Sequence, residues 1–215
     1  MRIRNSPYII ALRHTPEEYC EIGTDRLLIE TLELEELSDG IYDWLNDPEM
    51  RKFVNLPAGQ LGSNEISRLI LGHDNKNGFL FWITPQDDRE RQIGFLQLQI
   101  NPMHQIATVG ICLGDREWQD KGAGSEARSA VNDFAFRKLG VQKIMATCQQ
   151  GDAQSLWAMH SEGWEREGVL RQHHASEKGR IDVVQFALFR TDWIKRIDIW
   201  AAARDQREAE AGETA

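Results

Sequence analysis

The sequence predicts a single mixed α/β domain, and three observations carry that prediction. Strand-like and helix-like periodicities alternate along the chain. Two alternating apolar and polar runs, Ile93 to Ile100 and Ile106 to Leu113, flank the turn residues Asn101-Pro102-Met103-His104, the pattern of an antiparallel hairpin or meander. A glycine-rich stretch then opens directly into an amphipathic helix. With 215 residues, 41% of them hydrophobic, the chain has material for one sizeable core. No linker, repeat or shift of composition divides residues 24–193. The expected organisation is an N-terminal extension over 1–23, an α/β domain with a mixed sheet over 24–193, and a helical or disordered tail over 194–215.

Taken in order, Arg26 to Leu32 reads as a strand, and Leu34, Leu37, Ile41, Trp44 and Leu45 repeat at helical spacing until Pro48 stops them. Ser63 starts a second helix carrying Ile66, Leu69 and Ile70. Turn residues from His73 to Gly78 lead into the apolar strand Phe79-Leu80-Phe81-Trp82-Ile83. In the paired runs that follow, Gln97, Gln99 and Thr108 are expected to face away from the core. Ala127, Ala130, Val131, Phe134 and Ala135 mark the amphipathic helix, which Gly140 ends. Lys143 to Cys148 is a strand, and Asp152 can cap a short helix over 153–160 that Gly163 closes. Val169 to His173 and Ile181 to Phe189 are the last two strands.

Charge and cysteine usage narrow the function. The formal charge of -9 disfavours nucleic-acid and anionic-membrane partners, which draw on clustered Lys and Arg, and suits amines or basic proteins as substrates. Cys20, Cys112 and Cys148 are odd in number and widely spaced, so neither a disulfide framework nor a structural zinc site is expected, and a reducing, cytoplasmic location is. The histidines and acidic residues show no metal-ligand spacing. No run reaches the length of a membrane-spanning helix.

The chemistry concentrates in Trp118-Gln119-Asp120-Lys121-Gly122-Ala123-Gly124-Ser125-Glu126-Ala127. Glycines let consecutive N–H groups approach an anion closely, and the helix N-terminus adds partial positive charge. A triphosphate-binding loop requires a Lys-Ser/Thr pair after the glycines, which is missing. Gly122-Ala123-Gly124-Ser125-Glu126-Ala127 formally satisfies a dinucleotide fingerprint, but the turn before it is long and the next strand ends in Cys148-Gln149-Gln150 with no acidic residue.

Gln119-x-x-Gly122-x-Gly124 resembles the acyl-coenzyme A pyrophosphate loop of the GCN5-related N-acetyltransferase (GNAT) superfamily, and the likeness extends over roughly residues 25 to 193. Within the superfamily the chain most resembles the ribosomal-protein-alanine acetyltransferase-like branch and its sugar-amine relatives. That likeness rests on Tyr42-x-Trp44-Leu45-Asn46-Asp47-Pro48-Glu49, Ser155 before Gly163-Trp164, Glu167-Gly168-Val169-Leu170-Arg171 and Asp182-Val183-Val184. The resemblance implies a GNAT fold and acetyl-CoA as cosubstrate, with direct attack on the thioester by a small amine, an amino sugar or a protein N-terminal α-amine. It implies that backbone groups of Ile111, Cys112 and Leu113 hold the pantetheine arm, and that Gln119, Asp120, Lys121, Gly122, Ala123, Gly124 and Ser125 hold the pyrophosphate. Asp152 and Ser155 are expected at the cofactor, and a homodimer is an expected assembly.

Two family features are missing. Met159 stands where relatives often carry a Tyr acid, and Thr108 where many carry a Glu base. His173, His174 and Asp182, on the last two strands, are the candidate catalytic groups. A non-catalytic acyl-CoA sensor is the alternative that these losses motivate. Trp44, Trp82, Trp157 and Trp164 are all expected to pack in the core.

Overall fold

The computed structural model describes residues 6–32, 39–47, 60–176 and 179–199. Its strands and helices are β1 (Ala11–Thr15), β2 (Tyr19–Gly23), β3 (Leu27–Thr31), α1 (Asp39–Asn46), α2 (Ser63–Leu71), β4 (Gly78–Pro85), β5 (Gly94–Asn101), β6 (Ile106–Leu113), α3 (Ala123–Arg137), β7 (Lys143–Gln149), α4 (Ala153–Ser161), β8 (Glu165–Ser176), β9 (Gly179–Phe189) and α5, residues 190–199. The mixed α/β class is therefore the observed one. Leu34, Leu37 and Pro48, which the sequence assigned to the first helix and its stop, lie outside the described residues.

The nine strands form one sheet in the order β1-β2-β3-β4-β5-β6-β7-β9-β8. Every neighbouring pair is antiparallel except β6 and β7. A parallel pair needs a crossover, and α3 supplies it. The parallel ladder is short, holding only Ile106↔Lys143, Ala107↔Ile144 and Thr108↔Met145.

Alternation along the central strands separates two apolar layers. Ala107 and Val109 of β6 pack with the small and aromatic stripe of α3 from Ala123 to Phe134 in the main core, and Ile111 packs against it. Cys112 points the other way, into a second cluster with Leu80, Trp82, Phe95 and Ile66, against which Tyr42 and Trp44 of α1 rest. Because both of its faces are covered, all eight residues of β4 are buried. The expected outward positions behave as the alternation requires: Gln97 is half-buried, and Gln99 and Thr108 are exposed.

The sequence reading assigned no element to residues 11–23, yet β1 and β2 form a hairpin that extends the sheet beyond β3. Its inward side chains, Leu12, Cys20 and Ile22, are buried. Polar groups fix its register: the Cys20 amide donates to Thr31 Oγ1 at 2.8 Å, Thr31 Oγ1 donates to Asn75 Oδ1, and Asn75 Nδ2 donates to the Glu18 carbonyl. At the other end, α5 buries Trp193 and Ile197, and Trp193 Nε1 donates to Asp133 Oδ1 of α3 at 2.8 Å.

One tryptophan departs from expectation. Trp44, Trp82 and Trp164 pack as anticipated, but Trp157 is 73% exposed. In the short helix α4 the core-facing position is Met159, 5% exposed, and Trp157 points away from it. Trp193→Ala should therefore cost about 3–5 kcal/mol in urea unfolding, the usual range for a buried Trp. Trp157→Ala should stay within about 0.5 kcal/mol. Equal effects would contradict this packing.

Candidate active site

Beyond Thr108 and Met145 the two parallel strands part, and a notch opens between them. Val109, Gly110 and Ile111 of β6 line one side, and residues 146–149 of β7 the other. The rest of the lining comes from Arg128 of α3 and from Asp152, Ser155 and Met159 around α4. On the β7 side the edge of β6 has no strand partner past Thr108 among the described residues, so its backbone groups face the notch. Such groups require a hydrogen-bonding partner, from water or from an extended ligand.

The glycine loop closes the wide end. Gln119 Nε2 donates to the Leu113 carbonyl at 2.9 Å, which folds the loop back onto the end of β6. Asp120 at φ 60° and Gly122 at φ 77° turn the chain into α3. Gly122 is the residue before the helix, where its left-handed conformation favours glycine. The first backbone bond of α3 runs from the Glu126 amide to the Gly122 carbonyl at 3.0 Å, so the amides of Ala123, Gly124 and Ser125 precede the helical ladder. Ser125 Oγ donates to Glu162 at 2.6 Å, which leaves its amide as the group available to the loop.

The loop is held from both flanks. Glu126 accepts from Thr24 Oγ1 at 2.6 Å and from Arg26 Nε at 2.7 Å, while Arg26 Nη1 and Nη2 donate to the Lys121 carbonyl at 3.2 Å. On the other flank Gln154 Nε2 of α4 donates to Asp120 Oδ1. A carboxylate in the first helical turn also suits the helix dipole. The cradle therefore fits an anionic pyrophosphate: it is pre-shaped, offers amides before a helix, and lies at the mouth of the strand notch.

Asp152 caps α4, accepting the Ser155 amide at 3.0 Å. Both residues line the notch, as does Met159. Glu162, just past α4, gathers Ser125 Oγ, Arg128 Nε at 2.8 Å, Arg128 Nη2 and Trp164 Nε1 at 3.2 Å. Arg128 and Glu162 form an ion pair with side chains 8% and 12% exposed. Neither residue stood out in the sequence, because an Arg and a Glu that lie 34 positions apart carry no local signal.

The structure places the catalytic candidates His173, His174 and Asp182 outside the notch lining. Asp182 Oδ1 accepts the Gln172 amide at 2.7 Å, where Gln172 has φ 52° and β8 slips register against β9 between Leu170 and His174. The Asp182 side chain thus holds that irregularity, while its carbonyl accepts from Gln150 beside the notch. His173 and His174 lie side by side with ring centroids 5.3 Å apart, and neither belongs to the notch lining. Leu113 closes the loop through its carbonyl, and Cys112 faces the second apolar cluster, where burial pushes its thiol up to about 12. That thiol is a poor nucleophile near neutrality.

A pair that sequence reasoning passed over lies on the α1 and α2 side. Gln97, directly across from Gly110, brings Nε2 to 2.9 Å from His73 Nε2. The alternation of β5 marked Gln97 as outward-facing, but nothing local linked it to His73. Among the described residues no group of three or more His, Cys, Asp and Glu side chains converges as a metal site would require.

Residues 26–165 match the acetyltransferase (GNAT) domain family. The uncharacterized N-acetyltransferase p20 of Bacillus licheniformis is 26% identical over 175 residues, covering 79% of this chain and 96% of that protein. Among solved structures, the spermidine N-acetyltransferase of Vibrio cholerae in complex with CoA and spermine superposes with a TM-score of 0.70 at 19% identity, over 78% of this chain and 98% of that one. The ribosomal-protein-S5-alanine acetyltransferase of Vibrio fischeri superposes with a TM-score of 0.69 at 16% identity, over 80% and 98%. These structural likenesses share the fold described above.

Burial first, and then the neighbouring His173, push the His174 pKa below its ordinary 6.5. In a proton NMR titration His174 should have its midpoint below 6.5, and His173→Asn should move it part of the way back. Because the folded midpoint is depressed, any stability from His174 is present above 6.5 and lost as pH falls through that midpoint. A midpoint above 6.5 would contradict the geometry.

Proposed function

The chain belongs to the GNAT acetyltransferase domain family and is an acetyltransferase, and from that premise we propose that it transfers acetyl from acetyl-CoA to a primary amine that is partly neutral near pH 7, in the ribosomal-protein-alanine acetyltransferase-like branch. The observation that carries this reading is the coupling of notch and loop: the parallel strands part after three residue pairs, and the helix that joins them starts at a glycine cradle. In this reading the edge of β6 past Thr108 holds an extended pantetheine arm by backbone hydrogen bonds, and the amides ahead of Glu126 hold the pyrophosphate. Asp152 orients the start of α4 against the arm, with Ser155 beside it. When bound, acetyl-CoA supplies the activated acyl carbon; the protein positions it and excludes water.

The choice of amine follows from what the notch lacks. Thr108 on β6 is no base, and the candidate bases His173, His174 and Asp182 are not in the notch lining. An acceptor that arrives partly neutral is then favoured. At pH 7.5 roughly a third of an α-amine of pKa near 7.8 is neutral, against about one part in a thousand of a lysine side chain. That difference favours a protein N-terminal α-amine or an amino sugar. The spermidine N-acetyltransferase among the structural neighbours keeps small polyamines in the comparison set.

Incubation with acetyl-CoA and four acceptors, an alanine-initiated peptide, an amino sugar, spermine and an acetyl-blocked lysine peptide, should release free thiol fastest with one of the first two. Fastest release with the lysine peptide or spermine would overturn the acceptor reading. Gly124→Glu places a carboxylate at the cradle, where even a Cβ would meet Leu113 Cδ1 at 3.4 Å. CoA affinity measured by calorimetry should fall at least a hundredfold while circular dichroism stays unchanged. Unchanged affinity in a folded protein would remove the loop from the cofactor site.

A further inference from the structure

We propose that Arg128 is a catalytic residue whose Nη1 faces the sulfur of bound acyl-CoA and receives the charge of the departing thiolate. This rests on the cofactor reading above. Among the described residues Arg128 is the one cationic side chain in the notch lining, and it shares that lining with Cys148 and Met159. Met159 stands where a Tyr acid is absent, so no acidic side chain of that kind meets the leaving group. The guanidinium is 8% exposed in its side chain and locked: Nε and Nη2 are committed to Glu162, and Nη1 donates to no group among the described residues.

The charged and titratable groups around it come from three other elements. Glu162 follows α4, Asp152 starts α4, Cys148 lies on β7, and Arg196 of α5 donates to the Glu162 carbonyl. Glu162 meets the guanidinium through Nε and Nη2, the edge away from Nη1, and its carboxylate also accepts from Ser125 Oγ and Trp164 Nε1. An arginine stays protonated, so it contributes charge and a hydrogen bond but no proton. In the reaction the acceptor nitrogen forms a bond to the acetyl carbon as the carbon–sulfur bond breaks. The electron pair of that bond goes to sulfur beside Nη1, the nitrogen gives its proton to water, and the thiolate is later protonated by solvent.

The test needs no acceptor. Bound coenzyme A is titrated through the ultraviolet absorbance of its thiolate in the wild type, in Arg128→Met and in the double variant Arg128→Met/Glu162→Gln. The double variant avoids an unpaired buried carboxylate and keeps one acceptor oxygen for Ser125 or Trp164. The protein's own thiols stay out of the window: burial pushes Cys148 up to about 11 and Cys112 up to about 12, and raises Cys20 as well. The wild type should lower the midpoint of bound CoA by about one pH unit or more relative to free CoA, as an adjacent opposite charge does. Both variants should lose that shift. Weaker CoA binding with an unchanged midpoint would assign Arg128 to the arm rather than the sulfur and overturn the proposal. No CoA binding by the wild type would instead overturn the cofactor reading itself.

Discussion

A parallel strand pair that parts after three residues is the constraint on which the site depends. Seven of the eight strand pairings are antiparallel, and antiparallel neighbours can run side by side to their ends. β6 and β7 instead run together from Ile106 and Lys143 and separate past Thr108 and Met145. Each strand stays anchored on its outer side, β6 to β5 as far as Leu113 and β7 to β9 as far as Gln149, so neither can bend back to close the gap. The gap therefore persists with polar backbone on its edge. The same parallel topology obliges a crossover, and the crossover helix must begin at the wide end of the gap. One topological choice thus places an unpaired strand edge and a helix N-terminus side by side.

Holding that arrangement rigid falls to two polar clusters behind the backbone. Glu126 and Arg26 tie the first turn of α3 and the Lys121 carbonyl to the turn between β2 and β3. Glu162 ties α3, the end of α4 and, through its carbonyl, α5. Breaking one partner of a buried ion pair is far more costly than the pair's net worth, so Arg128 and Glu162 act as a fixed geometric element more than as a source of stability. That distinction gives a buried guanidinium its chemical interest: its position is set by Glu162 whether or not a ligand is present.

Much of this was legible in the sequence, and the missing parts have common physical causes. The glycine loop, the α3 stripe and the Asp152 cap are local patterns whose spacing reflects backbone geometry, and each lies where the sequence placed it. The β1–β2 hairpin was not legible because the inner face of β1 carries a polar residue, His14, whose ring lies against Phe79 and Phe134, and its register depends on Thr31 and Asn75 from distant segments. Trp157 misled because a nine-residue helix has too few turns for its spacing to identify the inner face. Arg128 with Glu162 and His73 with Gln97 were invisible for one reason: each pair joins elements that touch only after the sheet has formed.

The two faces of the sheet also explain why the donor half of the reaction is better defined than the acceptor half. Odd-numbered positions of β6 point to α3, and even-numbered positions point to α1 and α2. The features proposed to hold the donor, α3, α4 and the loop, belong to the first face and to the strand edge, where backbone geometry sets the arrangement. Gly110 is the notch-lining position of β6 whose side chain would project to the second face, and a Cβ there would meet nothing within 4 Å. Its bare backbone leaves a window between the notch and the side carrying Tyr42, Trp44 and the His73–Gln97 pair. On the proposed reading, an amine that reaches the acyl carbon from that side meets side chains of α1 and of the His73–Gln97 pair, which fold geometry does not prescribe. On that reading donor chemistry follows from the strand splay and acceptor chemistry from the side chains around Gly110, so the acceptor can diverge while the fold and the cofactor stay the same.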